Sequence, residues 1–214
     1  MKKALFTIML ILVLVLCGIS VIAAPDLQTL SGPHYIMDDT FSQIMTYNNM
    51  PILSAWDVDN SAGSIASSQS EEWFRITDES KTARSRISKQ LVSHDKGMIV
   101  YETSLRFGNA SRGSYLKISG DGGTKDAVRL DILKNTIFYK TPGKSETISA
   151  FKFNIYYALK LYIDLDAGQT TVYFDGKKID TYPFTDDVSN IDFIELSTAE
   201  EYTASIYVNG MKMY

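Results

Sequence analysis

The sequence predicts an all-β fold, an antiparallel β-sandwich, and three observations carry that prediction. Apolar and polar residues alternate with period two along several stretches from Met98 onward. Turn-forming residues, most of them paired with glycine, separate those stretches at short spacing. Helical candidates are confined to Asp78–Ala83 and Thr198–Tyr202, each sufficient for one turn.

In chain order, Lys2 and Lys3 precede an uncharged stretch from Ala4 to Pro25 with a Leu/Ile/Val-rich core and small residues at Ala23 and Ala24. This is the order of a secretory signal. The expected organisation is a signal peptide over 1–24, a short tether over 25–37 and one sandwich domain over 38–214. About 20 apolar residues suffice to span a bilayer, so membrane association is expected only through an uncleaved or lipidated N-terminus. The single cysteine, Cys17, lies in Leu14-Val15-Leu16-Cys17-Gly18, which looks like a lipoprotein box with too large a residue before the cysteine. After processing, no disulfide is available, and core burial alone must hold the domain. Roughly 70% of the unfolded surface is buried at this size, which is sufficient. An exported chain without bridges points to a bacterial source.

The strands follow. In Met98–Phe107, Ile99, Tyr101, Leu105 and Phe107 are apolar, and Glu102, Ser104 and Arg106 face the other way. In Ala127–Leu133, Val128, Leu130 and Ile132 alternate with Arg129 and Asp131. In Tyr157–Leu165, Tyr157, Leu159, Leu161, Ile163 and Leu165 alternate with Ala158, Lys160, Tyr162 and Asp164; Tyr202–Val208 alternates again. Such strands bury one face and wet the other, as antiparallel sheets do. Asp121-Gly122-Gly123, Pro142-Gly143, Asp166-Ala167-Gly168, Asp175-Gly176 and Asn209-Gly210 read as turns. Asp175-Gly176 predicts a two-residue hairpin between Thr171–Phe174 and Lys177–Asp180.

The chain is 45% hydrophobic and 21% charged, as a globular protein is, with a net charge of −4. Lys2 and Lys3 are the only charges in the first 24 residues, so the remainder holds 19 basic and 25 acidic residues. That balance excludes nucleic acid as a bulk partner, which demands a clustered cationic excess. Catalytic signals are sparse. His34 and His94 both read as solvated loop residues, and neither zinc ligation nor a serine nucleophile elbow has the residues it needs. Asp164 and Asp166 lie two apart, but Asp166 opens the turn with Ala167-Gly168, and Asp192 and Glu195 fall on opposite faces by parity. Asp57-x-Asp59-x-Ser61 lacks the later ligands of an EF-hand. Lys81, Arg84, Arg86 and Lys89 surround a weak strand and read as edge protection, with attraction of an acidic polysaccharide as the alternative.

Three segments carry a family resemblance: Asp38-Asp39-Thr40-Phe41 with Trp56 in PILSAWDVDN, then Asn154–Ile179, then Asn190–Tyr214. Together they resemble the concanavalin A-like, laminin-G-like jelly roll of secreted bacterial carbohydrate-binding modules. The resemblance implies a jelly roll, in a family that also holds lectins, polysaccharide lyases and glycosidases. Lyases of that family use Arg, Gln, His and Tyr on a concave sheet; Arg106, Arg129 and Tyr139 match part of this, with no histidine in a matching strand. No cofactor is expected, and the resemblance offers a structural calcium at Asp38, Asp39 and Asn209 as the alternative. Val208-Asn209-Gly210 departs there from the usual Val-Asp-Asn.

Sugar sites need aromatic faces and planar polar groups. If strands Met98–Phe107, Ser114–Ser119, Ala127–Leu133 and Tyr157–Leu165 share one sheet, their polar sides form one patch. Its expected ligand-binding residues are Arg106, Tyr115, Lys117, Arg129, Asp131, Tyr162 and Tyr173. An ordinary solvated face with cross-strand ion pairs is the alternative. The expected function is a secreted, non-catalytic polysaccharide-binding module. The competing readings are a polysaccharide lyase or glycoside hydrolase of the same fold, or a structural or adhesive surface domain.

Overall fold

A computed structural model describes residues 35–39, 45–47, 50–52, 56–68, 73–108 and 113–214, with backbone alone at 45–47, 50–52 and 65–68. The expected signal peptide with Cys17, and also His34 and Phe41, lie outside these residues. Among the described residues all regular structure is β, in strands numbered β1 to β17 in chain order.

One sheet has the spatial order β15 (Lys177–Pro183), β14 (Gln169–Phe174), β13 (Tyr156–Asp164), β8 (Met98–Phe107), β17 (Ala204–Met213), β6 (Trp73–Asp78) and β5 (Gly63–Ser68). An eighth strand, β1 (Met37–Asp39), also pairs with β17. The second sheet has seven strands in the order β12 (Lys144–Ala150), β11 (Thr136–Thr141), β10 (Lys125–Leu133), β9 (Gly113–Gly120), β16 (Ile191–Thr198), β7 (Arg86–His94) and β4 (Asp57–Asp59). A small hairpin joins β2 (Met45–Tyr47) to β3 (Met50–Ile52). Every pairing is antiparallel.

The period-two pattern builds a single core between the sheets. Tyr101, Leu105, Leu159, Leu161, Ile206 and Val208 of the larger sheet are at most 1% exposed, as are Leu116, Val128, Leu130, Ile132, Ile194 and Leu196 of the smaller. Burying each aliphatic side chain contributes about 1.5–3 kcal/mol, which offsets the ordering of the strands. Asp175 and Gly176 adopt φ of 51° and 76°, so the β14–β15 hairpin forms where the sequence expects it.

Four local expectations are corrected. Asn209-Gly210 makes no turn; it is a bulge inside β17, where the register with β8 slips between Asn209 and Met211. Gly210 has φ of 62°, and Thr103 Oγ1 donates to its carbonyl at 2.6 Å. Bulges and turns both draw on a positive-φ glycine. Asp78–Ala83 is not helical, because side-chain oxygens take its amides: Asp78 Oδ1 accepts from Ser80 N at 2.8 Å, and Ser80 Oγ from Thr82 N and Ala83 N. Thr198–Tyr202 begins as the end of β16 and turns instead. His94 is the last residue of β7, paired with Ile191, rather than part of a turn.

A buried polar tie joins the sheets where the chain passes from β6 to β7. Asp78 is 1% exposed, and its carboxylate accepts from Thr198 Oγ1 at the end of β16. Thr198 Oγ1 also accepts from Ser85 N at 2.9 Å, and Thr198 N donates to Ser85 O at 2.9 Å. Replacing Asp78 by Ala leaves the Ser80 amide without its acceptor and the Thr198 hydroxyl with only Ser85 O at 3.3 Å, so unfolding in urea should show a loss of about 1–3 kcal/mol. Asp78→Asn retains an acceptor and should lose less.

Burial pushes the Tyr139 phenol up from 10.0 to about 12. Unfolded tyrosine ionises near pH ~10, while folded Tyr139 keeps its proton. This contribution is therefore complete below pH 10 and is lost between there and about 12, at up to ~1.4 kcal/mol per pH unit. Tyr139→Phe should flatten that alkaline loss in denaturant titrations.

Candidate binding face on the seven-stranded sheet

Strand register sets two rows of side chains across the outer face of the seven-stranded sheet. One runs Phe138, Asp131, Tyr115, Ser197, Arg86, Asp59. The next runs Arg129, Lys117, Glu195, Ser88, Asp57. Because side chains alternate between faces, every other residue of β10, β9 and β16 contributes.

These rows hold two neighbouring ion-pair groups. Arg129 Nε donates to Asp131 Oδ1 at 2.8 Å, and the guanidinium lies 4.8 Å from the Tyr115 ring centroid. Glu195 accepts from Ser197 Oγ at 2.8 Å, with Lys117 Nζ at 3.6 Å and Arg86 at 3.9 Å. Asp131 and Glu195 are buried although they point away from the core. Burial, together with the Asp131 charge, raises the Tyr115 phenol. β16 buries seven of its eight residues, so the centre of this face is crowded on both sides. Beside it the 199–202 segment closes a groove of about 350 Å³ with Tyr115, Lys117, Arg129, Arg84 and Tyr202 in its walls. The Tyr202 ring sits where a side chain on Gly113 would be: a Cβ there would meet it at 2.7 Å.

The expected single patch divides between the sheets. Tyr115, Lys117, Arg129 and Asp131 come together on β9 and β10, while Arg106, Tyr162 and Tyr173 lie on β8, β13 and β14 of the other sheet. Parity selects a face of a strand but not the sheet that strand joins. On the larger sheet Arg106 lies 3.7 Å from the Tyr207 ring centroid and 5.2 Å from that of Tyr156. Burial alone would raise the Tyr207 phenol, but Arg75 and Arg106 hold it below its ordinary value. Tyr162 and Tyr173 meet edge to face at 5.5 Å. Glu195, Ser197, Arg86 and Tyr202 are absent from the sequence-derived set. Period-two reading of β16 would have found Glu195 and Ser197. Nor is β7 a free edge needing protection, since β4 pairs Arg86, Ile87 and Ser88.

The expected calcium ligands diverge. Asp39 shares the inward side of β1 with buried Met37, opposite Met211, and its carboxylate accepts from Lys89 Nζ at 2.7 Å and Trp56 Nε1 at 3.0 Å. Asp38, opposite Lys212, points to the other side, and Asn209 is on the outer side of β17. Lys89 already neutralises Asp39, so these three residues do not fit a divalent cation. No cluster of three or more metal-ligating side chains occurs among the described residues.

No family model matches the chain. No curated protein matches it in sequence. Solved structures match in shape. A sialidase is 13% identical at a TM-score of 0.67, over 75% of this chain and 17% of that one. The binding domain of botulinum neurotoxin serotype D is 11% identical at 0.53, over 84% of this chain and 48% of that one. The Emp47p carbohydrate recognition domain is 9% identical at 0.53, over 78% and 91%. The fold is that of the concanavalin A-like jelly rolls. The jelly roll thus spans under half of the first two proteins it matches.

Two measurements check this geometry. A double-mutant cycle of Arg129→Ala and Asp131→Ala should give a coupling of about 0.5–1 kcal/mol, modest because the guanidinium is partly solvated. The melting temperature should be the same in chelator and in millimolar calcium, since Asp39 is held by Lys89.

Proposed function

We propose that this chain is an exported, non-catalytic glycan-binding module that holds a sugar chain across the outer face of its seven-stranded sheet. The observation that carries this reading is the Arg129–Asp131–Tyr115 group beside the Lys117–Glu195–Arg86 group on three consecutive strands and β7. Ion pairing fixes the direction of each carboxylate and guanidinium, so neighbouring sugar hydroxyls meet planar, pre-ordered partners. Tyr202, 41% exposed at the groove wall, offers an aromatic face for stacking. The apolar stretch after Lys2-Lys3 supports export.

Two features favour binding over catalysis. Asp131 and Glu195 are each committed to a cation, whereas glycoside hydrolysis asks for a proton-donating acid beside a free carboxylate. His94, the one histidine among the described residues, pairs with Ile191, four positions along β16 from Glu195. Among the similar folds, an alginate lyase of polysaccharide lyase family 7 (10% identity, TM-score 0.53, 70% of this chain and 81% of that) keeps a lyase as the competing reading.

Affinity gels with a panel of soluble polysaccharides, assayed in parallel for product release, test the proposal. Retardation without products is expected. Tyr202→Ala and Arg129→Ala should each weaken it about five- to tenfold, equivalent to ~1–1.4 kcal/mol, with the melting temperature lowered by no more than about 4 °C. Products, or full retardation of both variants, would overturn it.

A further inference from the structure

The outer face of the eight-stranded sheet, on the opposite side of the sandwich, carries a larger cleft. A size pattern in the register makes it. Ala158 and Ser104 sit opposite each other on β13 and β8, and Asn209 continues their row on β17. The row on one flank is Tyr156, Arg106, Tyr207 and Arg75. The row on the other flank is Tyr173, Lys160, Glu102 and Lys212. The small side chains form the floor and the Tyr173–Lys160–Glu102–Lys212 row forms the wall of a trough of about 610 Å³, with the Arg106 row beside the floor. It crosses β14, β13, β8 and β17, a length of roughly 14 Å at the usual ~4.8 Å between strands. Gly176 and Gly210 stand at its ends without side chains to close them.

Its walls are held in place. In the wall Lys160 pairs with Glu102 at 2.7 Å, and beside the floor Arg106 is stacked against Tyr207 and Tyr156. Their charge runs against that of the whole molecule. Lys160 and Lys212 in the wall, with Arg106 and Arg75 in the row beside the floor, outnumber Glu102, Asp38 beside Lys212 on β1 and Asp175 next to Ala158, on a chain whose net charge is −4. A local cationic surplus in a groove concentrates anions.

We infer that this trough is a second binding site, taking a linear, carboxylate-bearing sugar chain. Open ends suit a polymer rather than a terminal sugar. The Ala158–Ser104 floor admits a ring close to the sheet, Tyr173 offers an aromatic wall, and Lys212 and Lys160 meet the carboxylates. A neutral glycan gains nothing from those cations. With the Arg129 face on the other side, the module has two separate sites and can bridge two chains.

Affinity electrophoresis of the full chain in gels containing polygalacturonate, or neutral laminarin, tests this. Ser104→Trp and Ala158→Trp fill the trough from outward-facing sheet positions, the first half-buried and the second exposed, and Lys212→Glu reverses charge at its wall. Melting temperatures verify that each variant folds. Retardation by polygalacturonate is expected to weaken about tenfold or more in all three, to persist in Arg129→Ala, and to fall as salt rises. Retardation by laminarin should be the same in the parent and in the trough variants. The inference is overturned if polygalacturonate fails to retard the parent, or if Ser104→Trp and Lys212→Glu are retarded like it. It is also overturned if laminarin binding is lost along with polygalacturonate binding. Arg129→Ala reads the other face separately, so the two proposals can fail independently.

Discussion

A carboxylate that cannot reach water organises one end of this sandwich. Asp78 sits where β6 leaves the larger sheet; Ser80 N donates to one of its oxygens, and the other is satisfied by Thr198, ending β16 of the smaller sheet. A buried charge without donors is costly, so the two strand ends are held at one separation. Ser85 shares the same hydroxyl, which fixes where β7 begins. Glu195 and Ser197 lie just before Thr198 on β16, and Arg86 directly follows Ser85. The ion-pair group of the outer face therefore takes its position from a core hydrogen bond.

The ion pairs on both outer faces add little to stability, since partly solvated pairs are worth at most about 1 kcal/mol. Their effect is geometric. Arg129 is tied by Asp131 and covered by Tyr115, and Arg106 is stacked between two tyrosines, so neither guanidinium has to be ordered when a ligand arrives. Order of this kind is common to the two faces, while their charge balance differs.

Faces were legible in the sequence and sheets were not. Alternation correctly separates Leu130 from Arg129 and Leu161 from Tyr162, because the period of a strand depends only on local geometry. Sheet membership depends on which strands meet across long loops. β8 and β9 are consecutive yet belong to different sheets, and β13 returns to β8. Arg106 and Arg129 were therefore joined on paper and are separated in space. Asn209-Gly210 misled for another reason: a positive-φ glycine serves a bulge as well as a turn. The Asp39 carboxylate was assigned by resemblance to a metal, and its partner, Lys89, comes from the opposite sheet, beyond the reach of any local pattern.

The first and last described strands lie side by side. Ile36 N donates to Met213 O at 2.7 Å, and the Tyr35 and Tyr214 rings meet edge to face at 5.6 Å. The fold is thus nearly a closed circuit of chain. A short linker from Tyr214 to Tyr35 would complete it, and the circuit could then be opened at the Lys134–Asn135 turn between β10 and β11 without removing a strand from either sheet. Such a circular permutant would carry its new ends on the smaller sheet, giving a route to fusions that depart from a different corner of the sandwich.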